Sequence, residues 1–214
     1  MQSEHSQSHG RFIRREDDAI IATVGLIVLL AGMLFVRHGS VSAFERSSFR
    51  AVNDLPAVFY PILWPFQQLG TLVIGPIAAI IAALFRKFRL AAALLVVTVA
   101  KLGLERVVKK IVSRQRPGTS IGHGVHLRGN VSLHGAAFVS GHAVLVAAVA
   151  CVLVPYLRGR WKILPWAIVG LVMLTRVYVG AHNPLDVICG AALGLLIGGL
   201  TNLAIGVPEA PTSG

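Results

Sequence analysis

The stretch "PLDVICGAALGLLIGGLTNLAI", Pro184 to Ile205, decides the fold. It runs for 22 residues with a single Asp, Glu, Lys or Arg side chain, Asp186, at its third position. A helix rises 1.5 Å per residue, so about 20 apolar residues cross a hydrocarbon core of roughly 30 Å, and this stretch meets that requirement. Five more segments read the same way: Ala19 to Val36, Leu69 to Phe85, Leu90 to Val108, Val139 to Leu157 and Ile163 to Val179. Backbone groups in lipid must pair within their own segment, which makes these spans helices; continuous apolar runs also disfavour a β-barrel. The expected fold is all-α, an integral-membrane bundle of six transmembrane helices over residues 18–206. A polar leader occupies residues 1–17, and residues 207–214 are expected to be a disordered tail. With 55% hydrophobic and only 14% charged residues, the composition is far from that of a soluble domain.

The net charge of +11 raises nucleic acid as a partner, but the basic residues lie at the span ends. Arg11, Arg14 and Arg15 precede the first span, Arg86, Lys87 and Arg89 join the second and third, and Arg158, Arg160 and Lys162 join the fourth and fifth. By the positive-inside rule these regions are cytoplasmic, so membrane lipids rather than nucleic acid are the partners. The chain is then a multi-pass protein of the inner (plasma) membrane with both termini cytoplasmic. The loops after spans one, three and five face the periplasmic, extracytoplasmic side. The third loop breaks the rule with Lys109, Lys110, Arg114, Arg116 and Arg128, which suggests an anionic ligand there.

Other features are quieter. The first span lacks a small-residue cleavage site and is read as retained. Cys151 and Cys189 lie at different depths of spans four and six and are read as core residues rather than a disulfide. Between Gly39 and Pro56, Val41, Phe44, Phe49 and Val52 recur at helix-like intervals; the segment is either a helix lying flat on the bilayer or a plain linker.

Three polar clusters fall on the outer face. In "TRVYVGAHNPLDV", Arg176 ends span five, Asn183 and Pro184 start span six, and His182 stands four residues before Asp186. Asn183 and Asp186 could be only a helix cap. Alternatively, Asp186 holds the His182 ring in one tautomer, freeing its other nitrogen as a base or nucleophile. In "KKIVSRQRP", Lys109 precedes Arg116 and Pro117; in "FVSGHA", Ser140, Gly141 and His142 begin span four, where free backbone N–H groups suit a phosphate. Three such clusters on one side are poorly explained as separate caps.

These motifs resemble the three signatures of the type 2 phosphatidic acid phosphatases, the lipid phosphate phosphatase superfamily. Lys109, six residues, Arg116-Pro117; Ser140-Gly141-His142; and Arg176, five residues, His182, three residues, Asp186 keep the family's spacing and order. Val139 stands where the family usually has proline and Thr175 where it usually has serine. Neither change removes a catalytic group.

The resemblance implies a membrane lipid phosphatase acting on a lipid phosphate or diphosphate through a phosphohistidine. The candidate substrates are polyprenyl phosphates and diphosphates, phosphatidic acid and phosphatidylglycerol phosphate. His182 would attack phosphorus, Asp186 would orient and stabilise its ring, and His142 would protonate the leaving oxygen and later activate water. Lys109, Arg116, Arg176, Ser140 and Gly141 would hold the phosphoryl oxygens. Three fixed cations replace a divalent ion, so no metal and no cofactor are expected. His123, His126 and His134 sit in a loop without Cys, Asp or Glu and are read as solvated. Lys101 and Glu105 form either a structural ion pair or a support for Lys109, and Asn53, Gln67 and Gln68 are candidates to border the same entrance. A lipid phosphotransferase using the same histidine and a non-catalytic lipid-binding or transport protein are the alternatives; the oligomeric state stays open.

Overall fold

A computed structural model describes residues 12–209. Arg11, the start of the leader and residues 210–214 of the tail lie outside the described residues. The chain folds as helices α1 (Glu16–Val36), α2 (Ala43–Asn53), α3 (Tyr60–Leu69), α4 (Ile74–Leu84), α5 (Phe88–Ile111), α6 (Pro117–Ser120), α7 (Gly141–Leu153), α8 (Ile163–Tyr178) and α9 (Pro184–Ile205). The segment expected to be a disordered tail begins as a strand. β2 (Val207–Pro208) pairs antiparallel with β1 (Phe12–Ile13), tying the two ends of the described chain together.

Among the described residues, three helical segments are long and apolar enough to cross a membrane: Glu16–Val36, Gly159–Tyr178 and Pro184–Ile205. A fourth is added if Ala57–Leu69 and Ile74–Leu84, bent by 65° to one another, count as one broken span. The other two apolar runs do not reach that standard. Gly141–Tyr156 is a shorter apolar helix because Ser140, ahead of it, is extended at φ −70° and ψ 110°. α5 is long, at 24 residues, but Lys101, Glu105, Arg106 and Lys109 interrupt its apolar surface.

α9 lies between α1 and α7, and small residues allow the close approach. A Cβ at Gly190 would sit 2.7 Å from the Ser140 carbonyl oxygen, and one at Gly194 would sit 2.5 Å from the Val144 carbonyl oxygen. In lipid, helices associate by such backbone proximity because apolar burial alone gives no preference for helix over lipid tail. Cys151 and Cys189 are buried and free within this packing.

The segment after α1 does form a helix, but its inward stripe differs from the apolar one expected. α2 buries Glu45, Phe49 and Asn53, while Phe44 is 83% exposed. The Ser42 hydroxyl starts it by accepting the Glu45 backbone N–H at 3.1 Å. Polar groups can face inward here because each meets a partner. Asn53 Nδ2 donates to the carbonyls of His126 and Tyr178, at 2.8 and 2.9 Å, and its Oδ1 accepts the His126 N–H.

Candidate active site

The α8–α9 connection is tight and buried. The Arg176 carbonyl accepts both the Ala181 and His182 backbone N–H groups, at 3.1 and 3.3 Å, which folds the chain back over the end of α8. Gly180 makes the reversal at φ +76°, where a side chain would also meet the His126 carbonyl. Pro184 then opens α9, and Asp186 Oδ2 accepts the Asn183 backbone N–H at 2.8 Å. His182, expected on the outer face, is only 3% exposed.

Burial pushes the His182 imidazole down to about 4, assisted by Arg176 and Arg116 and opposed by Asp186. The ring is therefore neutral near pH 7, the state a nitrogen nucleophile requires. Its Nδ1 lies 3.8 Å from Asp186 Oδ2, too far for a hydrogen bond in this geometry but close enough for the carboxylate to stabilise a developing imidazolium.

Asp186 is held by a residue whose expected role was ligand binding. Arg114 Nη1 donates to Asp186 Oδ1 at 2.9 Å and to Glu45 Oε1 at 3.0 Å, while Arg114 Nη2 grips Glu45 Oε2. All three side chains are buried. Burial opposes the Arg114 charge, but Glu45 and Asp186 outweigh it and raise its pKa above the ordinary value. Glu45 Oε1 also accepts the Leu185 N–H at 3.0 Å, which satisfies a free donor of the first turn of α9. Two carboxylates on one guanidinium thus fix the start of α9 and the orientation of Asp186. The inward interval Glu45, Phe49, Asn53 is the sequence signal that could have found Glu45.

Of the expected phosphate-binding groups, Arg116 and Arg176 lie near enough to His182 to act on its charge. Arg176 Nη1 donates to Gln67 Oε1 at 2.9 Å, so α3 aims this guanidinium. The Nε atoms of Arg116 and Arg176 and the Ser140 hydroxyl are buried and have no hydrogen-bond partner among the described residues. Burial lowers the Arg116 pKa, and Asp186 partly offsets it. Arg176, Lys101 and Lys109 are the cations near His142, and the neutral His182 ring is a further neighbour. The ring packs on the bend between α3 and α4, where a Cβ at Gly70 would fall 2.6 Å from its Cβ and Cδ2.

Glu105 joins α5 to this cluster. It pairs with Lys101 at 2.8 Å and Lys109 at 2.5 Å, so both alternatives for Lys101 and Glu105 describe one three-residue chain on a helix face. A Cβ at Gly141 would stand 2.5 Å from Glu105 Oε2, so the glycine lets this carboxylate reach the start of α7.

Other basic and histidine candidates are elsewhere. Arg128 donates to the carbonyls of Asn53, Leu55 and Tyr178 and stacks over the Tyr178 ring at 4.1 Å, which spends it on holding the loop. Lys110, His123, His126 and His134 are exposed. His126 Nε2 faces Asp54 at 3.7 Å on the surface, and His134 Nδ1 lies 3.3 Å from the Thr119 hydroxyl. Among the described residues, no group of three or more His, Cys, Asp or Glu side chains is arranged to hold a metal ion.

Comparison with known proteins adds an independent line. Aquifex aeolicus LpxE, known from a crystal structure, superposes with a TM-score of 0.64 at 25% identity, covering 75% of this chain and 95% of that one. The crystal structure of the first transmembrane PAP2 type phosphatidylglycerolphosphate phosphatase from Bacillus subtilis gives 0.66 at 22% identity, covering 88% and 95%, and supports the fold alone. A lipid A 4'-phosphatase of Porphyromonas gingivalis is 36% identical over 64 residues, 28% of this chain and 26% of that relative, so the match spans about a quarter of its length. Residues 88–206, more than half of the chain and including all three motifs, match the PAP2 superfamily as a whole. The chain belongs to the PAP2 superfamily and is a helical protein with several membrane-type helices.

Proposed function

We propose that the chain is a membrane lipid phosphatase that hydrolyses a lipid phosphate or diphosphate through a phosphohistidine at His182. The observation that carries this reading is the set of buried, unpartnered donors on Arg116, Arg176 and Ser140 next to a neutral, buried imidazole. Donors left open in this way suit the oxygens of a phosphoryl group. The name of one relative points the same way, since the Porphyromonas gingivalis protein is a lipid A 4'-phosphatase.

In this scheme, Nδ1 of His182 faces Asp186, and Nε2 attacks phosphorus as the bond to the leaving oxygen breaks. His142 gives that oxygen a proton. Lys109, Arg116, Arg176, Ser140 and the Gly141 N–H neutralise the equatorial oxygens, and Asp186 balances the imidazolium. His142, now a base, takes a proton from water; the resulting attack breaks the P–N bond and releases inorganic phosphate. The cations serve where many phosphoryl-transfer sites use Mg²⁺, so the scheme requires no metal.

The same reading has the bundle cross the membrane six times. α5 does so despite its charges because Lys101, Glu105 and Lys109 satisfy one another. The loops containing the three motifs face the extracytoplasmic side of the inner membrane, and both termini face the cytoplasm. The test is a panel of polyprenyl phosphates and diphosphates, phosphatidic acid and phosphatidylglycerol phosphate, with purified protein in detergent. Release of inorganic phosphate from at least one member is expected; transfer to added alcohols without release would identify a phosphotransferase instead.

A further inference from the structure

At the end of the bundle opposite His182, the α4–α5 and α7–α8 connections meet the β1–β2 ribbon around a cleft of about 650 Å³. Arg86, Lys87, Arg158 and Lys162 line it, with Glu209 as the carboxylate in its wall. Arg89 borders it too but is committed, donating to the Ile205 carbonyl at 2.9 Å and lying 4.3 Å over the Phe12 ring. None of the other four cations joins an ion pair among the described residues.

Cations at this end follow from the positive-inside rule without any ligand. Two observations go further. Lys87 and Tyr156 also line a second cavity of about 450 Å³, whose remaining wall is apolar and includes Ala78, Ile81, Leu94 and Val149. A basic cleft therefore continues into an apolar groove between α4, α5 and α7. The second observation is Arg86, which sits at φ +57°, the non-glycine residue with positive φ among the described residues. Its N–H donates to Ala83 and that of Lys87 to Ala82, both at 2.8 Å, which is the helix-ending turn that glycine normally serves. An arginine in this place costs backbone energy and is explained by what its side chain binds.

We propose that this end of the bundle holds an anionic phospholipid from the adjoining leaflet. Its phosphate lies among Arg86, Lys87, Arg158 and Lys162, and one acyl chain fills the apolar groove. Charge complementarity selects an anion, and the groove selects a lipid over a free ion. The site is separate from the phosphatase chemistry and stands or falls independently of it.

The test uses the full chain in detergent with a phosphatidylglycerol carrying a photoactivatable diazirine in its acyl chain, a matched phosphatidylcholine probe, and mapping of the labelled peptides. The anionic probe should label α4, α5 and α7 around Ala78, Leu94 and Val149 about tenfold more than the zwitterionic one, given several cations near one headgroup. Arg86→Gly restores the favoured turn residue, so it should keep or raise thermal stability while cutting this labelling; Arg158→Gln should cut it as well. Ala78→Trp should remove groove labelling with the charges intact. Equal labelling by phosphatidylcholine, indifference to both Arg86→Gly and Arg158→Gln, or displacement by millimolar inorganic phosphate would each overturn the proposal, the last by marking a site for a small anion.

Discussion

Arg114 links Asp186, 2.9 Å away in the first turn of α9, to Glu45 on α2, so the carboxylate beside His182 is anchored from a helix 141 residues earlier in the chain by sequence number (186 − 45). A buried carboxylate without its counter-charge is costly, and here one guanidinium serves two of them.

Glu45→Ala should therefore destabilise the protein by roughly 3–5 kcal/mol, the usual cost of breaking a buried ion group from one side. Glu45→Gln, which keeps an acceptor for the Leu185 N–H, should cost less. It should lower kcat more than it raises KM, because Asp186 loses orientation while the phosphate-binding groups stay in place. Denaturant titration in detergent and steady-state kinetics check the two parts.

Gly70 and Gly103 form a contrasting pair. A Cβ at Gly70 runs into His142 at 2.6 Å, whereas one at Gly103 meets nothing within 4 Å. Gly70→Ala should displace the imidazole and lower turnover on the order of tenfold or more, since small misplacements at a reacting centre are expensive. Gly103→Ala should leave activity unchanged and stabilise by up to about 1 kcal/mol. Equal effects of the two would show that the bend does not position His142.

The depressed His182 pKa fixes the sign of a pH effect. Between its unfolded value of about 6.5 and its folded value of about 4, the unfolded chain binds the extra proton, so stability falls as pH is lowered through that window. The slope from this group is at most about 1.4 kcal/mol per pH unit, and above the window it contributes none. Thermal unfolding of the wild type and His182→Gln should diverge in pH dependence only between those limits.

Much of the candidate site was legible in the sequence because each motif is local. Pro184, Asn183 and Asp186 declare a helix start, and the interval from Lys109 to Arg116 lies on one helix end and its loop. What could not be read depends on distant partners. Arg114 looks like the other loop cations until Glu45 is brought to it, and Arg128 until the carbonyls of Asn53 and Tyr178 are. Depth depends on distant partners in the same way: His182 lies in the connection between two apolar helices, and that connection is covered by the loop residues Val125, His126 and Leu127. Apolar run length also started the fourth segment at Val139, since nothing local marks Ser140 as extended chain whose N–H donates to the Asp186 carbonyl at the start of α9.

Sidedness is checked by single cysteines on a Cys-free background. Ser132→Cys, in the exposed loop before α7, should react with an impermeant thiol reagent in intact cells. Arg160→Cys, between α7 and α8, should react only after lysis. The reverse pattern would put the candidate site in the cytoplasm.

Metal independence predicts that turnover survives EDTA and is inhibited by vanadate, which adopts a trigonal bipyramid around a nucleophilic nitrogen. Activity lost to EDTA and restored by Zn²⁺ or Mg²⁺ would contradict the three-cation scheme.

The central claim is that His182 carries the phosphoryl group. The direct measurement is rapid quenching of a single turnover with lipid substrate labelled in the transferred phosphate, followed by peptide mapping. Acid-labile, alkali-stable label is expected on the peptide containing His182 and absent from His182→Ala, which should also release no phosphate. Phosphate release by His182→Ala near the wild-type rate, with no labelled enzyme in either protein, would contradict it.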